Sequence, residues 1–529
     1  MAQNLPNSIE LPQFPESYWI ASTPFRTYPK LQDSISVDAV IVGAGLTGVT
    51  TAYLLAKEGL QVALLDAGTI ATGTSGHTTA KITAQHDLIY DEFISHFGTE
   101  QARLYYEANH QALQWMKELI RRERIDCDFQ EQDAYLYTTA GDMAGKLEQE
   151  FRAYEKLGIP GSYVDQVPLD PLGVKAAVVM PGQAQFHPLR YLRYLLGEFA
   201  ALGGQIYEQT EATGVESGER PRVLTKEGHR VTGHYVVAAT HYPFHEGMGL
   251  YFARMHPERS YAIACPLPDE QADYPGGMYL NVDDPKRSVR SVQIGGKHAL
   301  LLGGEGHQTG QGICTHRHYE ALQQFAQQTF GLSAISYRWS AQDLISLDKL
   351  PYIGPVTAGN DRVLVATGYR KWGMTTSAVA AHLLKDYITE RSDENPYREL
   401  FTPSRFNADP GLKTLLVETG DVIKHLVTGK LEWAKTMPED IGPDRGAVVM
   451  INGRRAGAYR EPEGKLHVLD TTCTHMGCEV EWNEGERSWD CPCHGSRFSF
   501  EGEVLNGPAK KPLSRIDYME ITAGELERT

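Results

Sequence analysis

Two short boxes late in the chain combine cysteine and histidine at close spacing. They read Cys-Thr-His-Met-Gly-Cys at 473–478 and Cys-Pro-Cys-His-Gly-Ser at 491–496. Each box offers a thiolate and an imidazole. Two such loops together supply the ligands of a two-iron two-sulfur cluster that has two cysteines on one iron and two histidines on the other. The boxes therefore predict an electron-transfer centre.

Two other interpretations of the boxes were weighed. Four cysteines and two histidines could form a structural zinc site, but the paired Cys-x2-Cys spacing typical of zinc modules is missing. The cysteines could also be buried free thiols, but this would not account for the glycines and prolines around them. The cluster is the interpretation that uses the whole pattern.

The boxes resemble those of Rieske proteins of the cytochrome bc type. The resemblance implies that Cys473 and Cys491 bind one iron, while His475 and His494 bind the other. It also implies a disulfide that ties the two loops together, between Cys478 and Cys493.

Two residues, one at the end of the second box and one just after it, bear on the reduction potential of this cluster. Ser496 stands where the family has a serine hydroxyl that donates to a cluster sulfur, and such donors raise the potential. Phe498 stands where high-potential members have a tyrosine, so one hydroxyl donor is absent. We expect a potential below the Rieske ceiling of about +300 mV. The segment 507–509, Gly-Pro-Ala, resembles the family's proline loop but is also an ordinary turn sequence.

A second motif, near the start of the chain, has the pattern of a nucleotide-binding turn. Residues 38–68 read as an apolar strand, a glycine-rich turn, a helix rich in alanine and leucine, and a second strand. Gly43 permits the tight turn, Gly45 lets the backbone approach a pyrophosphate, and Gly48 allows close packing of helix on strand. Asp66 ends the second strand, where its carboxylate can accept hydrogen bonds from both ribose hydroxyls. The residues expected to hold the nucleotide are Gly43, Ala44, Gly45, Leu46, Thr47, Gly48, Asp66, Ala67 and Gly68.

The turn alone does not distinguish NAD from FAD, because both carry the same adenosine diphosphate half. Segments at 73–86, 346–355 and 362–384 resemble the D-amino-acid oxidase superfamily of FAD enzymes, which includes glycine and sarcosine oxidases. The resemblance covers roughly residues 36–400 and implies bound FAD. It places the first segment beside the flavin, and the turn at 368–375 at the pyrimidine side, where negative charge develops on reduction. The further residues expected at the cofactor are Ser75, Gly76, His77, Thr78, Thr79, Val215, Ala239, Thr240, Gly368, Tyr369, Gly373, Met374 and Thr375.

The same family positions suggest where a substrate would bind. Arg370 could bind a carboxylate through two parallel hydrogen bonds. Lys81 could contact the flavin through a water molecule. The ring of Trp372 could pack against a cation or an alkyl group of the substrate. Lys371 completes the candidate set, although Arg370 and Lys371 could equally form a solvated charged loop. Lone histidines near the expected cofactor are more often structural than catalytic; they are His77, His86, His241 and His307. His77 is the candidate for covalent attachment of FAD.

The predicted fold class is α/β, with a Rossmann-like FAD-binding domain, an interleaved α+β substrate domain and an all-β Rieske domain. The expected boundaries are an N-terminal extension at 1–35, an FAD-dependent oxidoreductase at 36–405, a helical connector at 406–445 and a Rieske domain at 446–529. Within the oxidoreductase, the FAD-binding segments are 36–90, 187–245 and 340–400, and the substrate segments are 91–186 and 246–339. Apolar residues at helical spacing predict that the connector packs on the flavin domain; they are Leu415, Leu416, Val422, Ile423 and Leu426.

Composition limits the partners. A net charge of -17 argues against a nucleic-acid partner, because such affinity comes mainly from clustered lysine and arginine. No apolar run is long enough to span a bilayer, and the chain start lacks the pattern of a secretory signal, so we expect a cytoplasmic protein.

These features predict an FAD-dependent dehydrogenase. We expect it to oxidise an amine or amino acid and to pass electrons through the Rieske cluster to an external acceptor, such as a ferredoxin-like protein, a quinone or oxygen. One alternative is an oxidase that reduces oxygen and carries an accessory Rieske domain. Another is an electron-transfer adaptor that feeds a partner enzyme.

Overall fold

The computed structural model describes residues 11–247, 249–268, 274–311, 315–405, 410–411, 436–451 and 453–518. The chain divides into two compact units. The first comprises residues 1–255, 259–306 and 318–413, and the second comprises 256–258, 307–317 and 414–529. The apolar residues of the expected connector helix, from Leu415 to Leu426, lie outside the described residues.

The described helices belong mainly to the first unit. In chain order they are α1 (Tyr18–Ser22), α2 (Leu46–Lys57), α3 (Tyr90–Arg122), α4 (Ala144–Leu157), α5 (Pro188–Ala201), α6 (His316–Phe330), α7 (Gly373–Ile388) and α8 (Arg398–Phe401). Within the part of the chain that the structure describes, no helix combines the length and the apolar character that a membrane span needs.

The strands of the first unit form three sheets. In chain order they are β1 (Ile35–Ser36), β2 (Ala39–Val42), β3 (Val62–Leu65), β4 (Lys81–Ile82), β5 (Gln130–Thr138), β6 (Ser162–Val164), β7 (Ala176–Gln185), β8 (Gln205–Tyr207), β9 (Ala212–Glu216), β10 (Arg222–Thr225), β11 (Arg230–Thr232), β12 (Tyr235–Ala238), β13 (Met255–Pro266), β14 (Met278–Asn281), β15 (Arg287–Ile294), β16 (Lys297–Gln308), β17 (Tyr337–Ser346), β18 (Tyr352–Pro355) and β19 (Val363–Thr367).

A six-stranded sheet, in the order β18-β19-β12-β2-β3-β8, forms the nucleotide-binding half. Strands β19, β12, β2, β3 and β8 run parallel, and β18 joins antiparallel at one edge. Its central strands are buried on both faces, as their uninterrupted apolar sequences require. Helix α2 packs against α5 and α7. The sheet therefore presents the carboxyl end of β2, followed by the glycine turn, at the place where doubly wound folds bind nucleotides.

Residues 209–217, which include Val215, do not join the six-stranded sheet. It forms β9 in a small four-stranded sheet, in the order β1-β11-β10-β9, where Val215 pairs with Val223. The outer strand of the six-stranded sheet comes instead from the short β8. Residues 209–217 therefore belong to the small four-stranded sheet and not to the sheet of the nucleotide-binding half.

A nine-stranded sheet forms the substrate half. Its order is β17-β13-β16-β15-β14-β5-β7-β4, with β6 paired to β7 off this path. Strands β13 and β16 lie in the second of the expected substrate segments, 246–339. Strand β4 carries Lys81 and pairs with β7, so it brings the expected flavin segment to the edge of this sheet.

The second unit contains two antiparallel sheets. Its strands are β20 (Arg445–Ile451), β21 (Arg454–Arg460), β22 (Leu466–Asp470), β23 (Glu481–Asn483), β24 (Ser488–Asp490), β25 (Arg497–Ser499) and β26 (Val504–Asn506). They pair in the orders β20-β21-β22 and β23-β24-β25-β26. This confirms the predicted all-β module. The first box follows β22, and the second lies between β24 and β25.

Candidate functional site

The glycine turn is built as the sequence predicts, between β2 and α2. Gly43 has a φ of +102°, and a Cβ added there would lie 2.5 Å from the carbonyl oxygen of Ala239. A Cβ on Gly48 would lie 1.8 Å from the carbonyl oxygen of Gly43. Helix α2 begins at Leu46 without a side-chain cap from Gly45; the N–H of Leu46 donates to Ser75, and the later N–H groups of the first turn are left to a ligand. The turn therefore fits the diphosphate of FAD.

Asp66 is fixed in place by the backbone of the turn. Its Oδ2 accepts from the N–H of Ala44 at 2.8 Å, and its Oδ1 accepts from the N–H of Gly68 at 2.9 Å. Burial raises the pKa of Asp66, and the two N–H donors oppose that effect. Each carboxylate oxygen can accept a further hydrogen bond, which is what two ribose hydroxyls require.

Expected cofactor residues from distant parts of the sequence converge on α2. The N–H of Leu46 donates to the hydroxyl of Ser75 at 3.0 Å. The hydroxyl of Thr47 lies 3.0 Å from the buried hydroxyl of Tyr369. The flavin segment and the late glycine turn thus meet the nucleotide turn, as an FAD site requires. The remaining expected contacts, including that of Val215 with adenine, stay predictions.

Lys81 lies in a polar part of the substrate sheet. Its Nζ donates to the carbonyl oxygen of Tyr279 at 3.0 Å. Burial lowers the pKa of Lys81 to about 7, and the nearby cation of Arg290 adds to the effect. Sequence reasoning missed Arg290, because it belongs to no motif and arginine is mostly found at exposed positions.

The backbone of the turn at 370–372 has an uncommon conformation. Arg370 and Lys371 both have left-handed φ values, 49° and 68°. A guanidinium N–H of Arg370 donates to the carbonyl oxygen of His86 at 3.1 Å. The ring of Trp372 stacks on that of His86, with centroids 4.7 Å apart. Part of the donor capacity of Arg370 is therefore used inside the protein, and its role as a carboxylate clamp stays a prediction.

The four candidate histidines have different surroundings. His86 is buried, lies 2.7 Å from the Tyr105 hydroxyl, and has a pKa lowered to about 3, mainly by burial. His241 is partly exposed, its pKa is lowered to about 4 by burial of the ring, and its Nε2 has no hydrogen-bond partner among the described residues. His77 contacts the carbonyl oxygen of Gly73 at 2.9 Å. His307 belongs to the second unit.

The two boxes of the second unit close in the same way. The N–H of Gly477 donates to the carbonyl oxygen of Cys473 at 3.0 Å, and that of Gly495 donates to Cys491 at 3.1 Å. Both glycines have left-handed φ values, 79° and 70°. Each box is therefore a tight turn that folds back on its first cysteine, and the glycine four residues later makes this possible.

In the two boxes, the cysteine side chains are more deeply buried than the histidine side chains. Cys473 and Cys491 are buried free thiols, 3% and 1% exposed, while His475 is partly exposed and His494 is 9% exposed. The two imidazole rings lie with centroids 5.0 Å apart. The hydrogen bond between the two thiols lowers the pKa of Cys473 and raises that of Cys491, and burial together with His475 lowers the pKa of His494 to about 4. A thiolate and a neutral imidazole are the forms that bind iron.

A disulfide joins Cys478 and Cys493, as the resemblance implies. The sulfur atoms of Cys478, Cys491 and Cys493 all lie within 4.8 Å of one another. Because two of them form the disulfide, these three cannot serve together as thiolate ligands. The ligands that remain are Cys473, Cys491 and the two histidines, which fit a 2Fe-2S cluster.

The second unit also includes a segment from much earlier in the chain, residues 307–317. The hydroxyl of Thr315 accepts from the N–H of Gly485 at 2.9 Å and donates to Asn483 at 2.5 Å. A Cβ added to Gly310 would lie 2.6 Å from the backbone nitrogen of Pro492, inside the second box. Sequence reasoning missed this segment, because neither residue belongs to a motif.

Two family models match the chain. The model described as FAD dependent oxidoreductase matches residues 38–387, and the model described as Rieske [2Fe-2S] domain matches residues 433–517.

Individual proteins match as well. Over 503 residues the chain is 51% identical to the putative Rieske 2Fe-2S iron-sulfur protein YhfW of Bacillus subtilis (strain 168), covering 95% of this chain and 98% of the relative. It is 24% identical over 419 residues to gamma-glutamylputrescine oxidoreductase of Escherichia coli (strain K12), covering 76% and 94%. Among solved structures, glycine oxidase from Geobacillus kaustophilus matches with a TM-score of 0.57 and 20% identity, covering 70% of this chain and 99% of that one. That likeness establishes the fold.

Proposed function

The chain belongs to the FAD dependent oxidoreductase family and carries a Rieske [2Fe-2S] domain, and from this premise we propose a dehydrogenase with a built-in electron outlet. Its cofactors are FAD and a 2Fe-2S cluster, and its oxidoreductase part is of the amine and amino-acid oxidase type. In the proposal, it oxidises an amine or amino acid and passes electrons through the cluster to an external acceptor. The observation that carries it is that one chain holds two fitted cofactor sites.

The substrate class is supported by the relatives, whose names describe the oxidation of an amine and of glycine. FAD, when bound, accepts two electrons from a substrate, and a Rieske cluster carries one at a time. For its part, the protein has to hold the reacting carbon and bind an amine that is already neutral. Lys81 and the turn from Arg370 to Trp372 are the proposed substrate contacts. With a pKa lowered to about 7, Lys81 can exist in either protonation state near neutral pH.

The proposal gives the electron acceptor only by its class: a ferredoxin-like protein, a quinone or oxygen. The cluster ligands support an outlet because the histidine pair is the more exposed one. His475 is partly exposed, and the neighbouring Met476 is 51% exposed. Electrons can therefore leave from the imidazole side without opening the buried thiol pair.

The proposal is tested with the full chain carrying both cofactors, mixed without oxygen with a panel of amines and amino acids. We expect flavin bleaching by a substrate, followed by reduction of the cluster, seen as its electron paramagnetic resonance signal. In Cys491→Ser, which cannot complete the cluster, bleaching should persist while reduction of an artificial one-electron acceptor falls. Met476→Leu, a change in the same box that spares the ligands, is the matched control.

Flavin that is bleached by substrate while the cluster stays oxidised would contradict the relay. If the bleached flavin then reoxidises in air with a full yield of peroxide, the protein is an oxidase with an accessory Rieske domain. If no amine or amino acid bleaches the flavin but a partner reductase does, it is an electron-transfer adaptor.

A further inference from the structure

The first unit contains a cavity of about 240 Å³ that the proposed function does not use. Residues of β5, β7 and β15 line it, together with Trp19 of α1. The cavity is smaller than the about 300–1,000 Å³ of sites for drug-sized ligands, so its occupant must be small.

Arg290 supplies a buried positive charge to this cavity. The residue is 2% exposed. Its guanidinium donates to the carbonyl oxygens of Thr79, Ser291 and Phe186, the last two at 3.0 and 3.4 Å. Among the residues that the structure describes, it forms no ion pair with a carboxylate. Burial lowers the pKa of Arg290 to about 9, so the group is still charged at neutral pH.

The other charged groups that line the cavity do not neutralise Arg290. The charge of Asp128 raises the pKa of Arg290, but its carboxylate is paired with Arg190 at 2.9 Å. Burial lowers the pKa of His187 to about 3, so its imidazole is neutral. The ring of Trp19 lies 5.2 Å from the Arg290 guanidinium and compensates its charge only partly. A buried charge whose partners are all neutral is unfavourable, and an anion in the cavity would relieve this.

Gln185 adds an acceptor that has no donor. It is 3% exposed and lines the same cavity. Its Nε2 donates to Oε1 of Gln130 and to Oγ of Ser291, both at 2.9 Å. Its Oε1 has no hydrogen-bond partner among the described residues. A ligand that matches both groups carries an anion for Arg290 and a hydroxyl or amine donor for Gln185.

We propose that this cavity binds a small carboxylate with a neighbouring hydroxyl or amine, its carboxylate on Arg290 and its donor on Gln185. The carboxylate could come from the oxidised substrate itself or from an effector that does not react. The inference does not depend on the electron relay, since it concerns binding alone.

The test is isothermal titration calorimetry on the full-length protein with both cofactors, using glycolate, glycine and acetate as probes. We expect glycolate or glycine to bind more tightly than acetate, which lacks the donor. Arg290→Gln and Gln185→Glu should each weaken that binding by at least about 30-fold, the first by removing the charge and the second by supplying a competing carboxylate. Arg222→Gln, at an exposed arginine of β10, should leave it unchanged.

Both cavity variants must retain the flavin absorbance of the wild type, which shows that the unit has folded. Failure of all three probes to bind the wild-type protein, or binding that survives Arg290→Gln, overturns the proposal. A change in the flavin spectrum on glycolate binding would identify a substrate carboxylate beside the flavin. Binding with an unchanged spectrum would identify an effector site.

Discussion

The backbone N–H of Ala509 donates to the hydroxyl oxygen of Ser496 at 3.0 Å. Hydrogen bonding from the same hydroxyl lowers the pKa of Cys473, so the Gly-Pro-Ala segment holds a donor beside a cluster ligand. An oriented donor of this kind stabilises the more negative, reduced cluster.

Ser496→Ala should therefore lower the midpoint potential of the cluster. A hydrogen bond to a charged group contributes about 1.5–3 kcal/mol. With about 59 mV per tenfold change for one electron, this corresponds to roughly 60–130 mV. Redox titration followed by electron paramagnetic resonance measures the shift. Ser499→Ala removes a hydroxyl from the neighbouring strand β25 and should leave the potential unchanged.

A substitution at Phe498 should change the midpoint potential in the opposite direction. It is fully buried and pairs with Trp489 across β24 and β25. Because its ring lacks a hydroxyl donor, we expect the wild-type potential to lie below about +300 mV and Phe498→Tyr to raise it. A wild-type value at that ceiling would show that the missing hydroxyl does not matter here.

Asp66→Ala should weaken FAD binding by about 10- to 150-fold, the effect of losing charge-assisted hydrogen bonds of about 1.5–3 kcal/mol. The variant loses both the proposed ribose acceptor and the carboxylate that holds Ala44 and Gly68. Fluorescence titration of the apoprotein with FAD measures the change. Asp38→Ala is the matched control, because Asp38 also accepts a backbone N–H, that of Gln61, but lies before β2. Equal losses in the two variants would mean that the effect is not specific to the nucleotide turn.

Lys81 should titrate near pH 7, because its pKa is lowered to about 7 from 10.5. Between these values the unfolded chain binds a proton that the folded protein does not, so this group makes stability rise with pH across that window. Competitive chemical labelling read by mass spectrometry reports the midpoint for Lys81 directly. Lys81→Met should flatten the rise in thermal stability across the window, whereas Lys156→Met, at an exposed lysine of α4, should not. A labelling midpoint near 10.5 would show that Lys81 is well solvated.

The sequence predicts those parts of the sites that lie within short segments. Gly48 and Asp66 make their contacts within one strand–turn–helix–strand unit, so their spacing encodes their geometry. The same holds for Cys473 and Gly477, which are linked through one turn. Such contacts depend on local backbone conformation, which residue types and intervals encode directly.

Contacts between distant segments could not be predicted in this way. Thr47 meets Tyr369, and Lys81 meets Tyr279, only because the strands pair in a particular order. Arg290 is a residue type that is mostly exposed, yet the middle of β15 is buried. Its charge becomes notable only once the sheet has excluded water from it.

Gly310→Ala should destabilise the second box, although residue 310 lies far from it in sequence. The new methyl group would lie 2.6 Å from the nitrogen of Pro492 and 2.8 Å from the carbonyl carbon of Cys491. These atoms belong to the turn that holds Cys491 and His494, so we expect faster loss of the cluster during incubation with a chelator, followed by visible absorbance.

Gly453→Ala separates this contact from backbone strain. Gly453 and Gly310 have similar φ values, +76° and +73°, and both lie in the second unit, but nothing is within 4 Å of a Cβ at Gly453. Both variants carry the cost of placing alanine in the left-handed region, about 1–2 kcal/mol. Only Gly310→Ala also displaces the ligand turn. Equal rates of cluster loss in the two variants would mean that strain alone is responsible and that the segment 307–317 does not support the cluster.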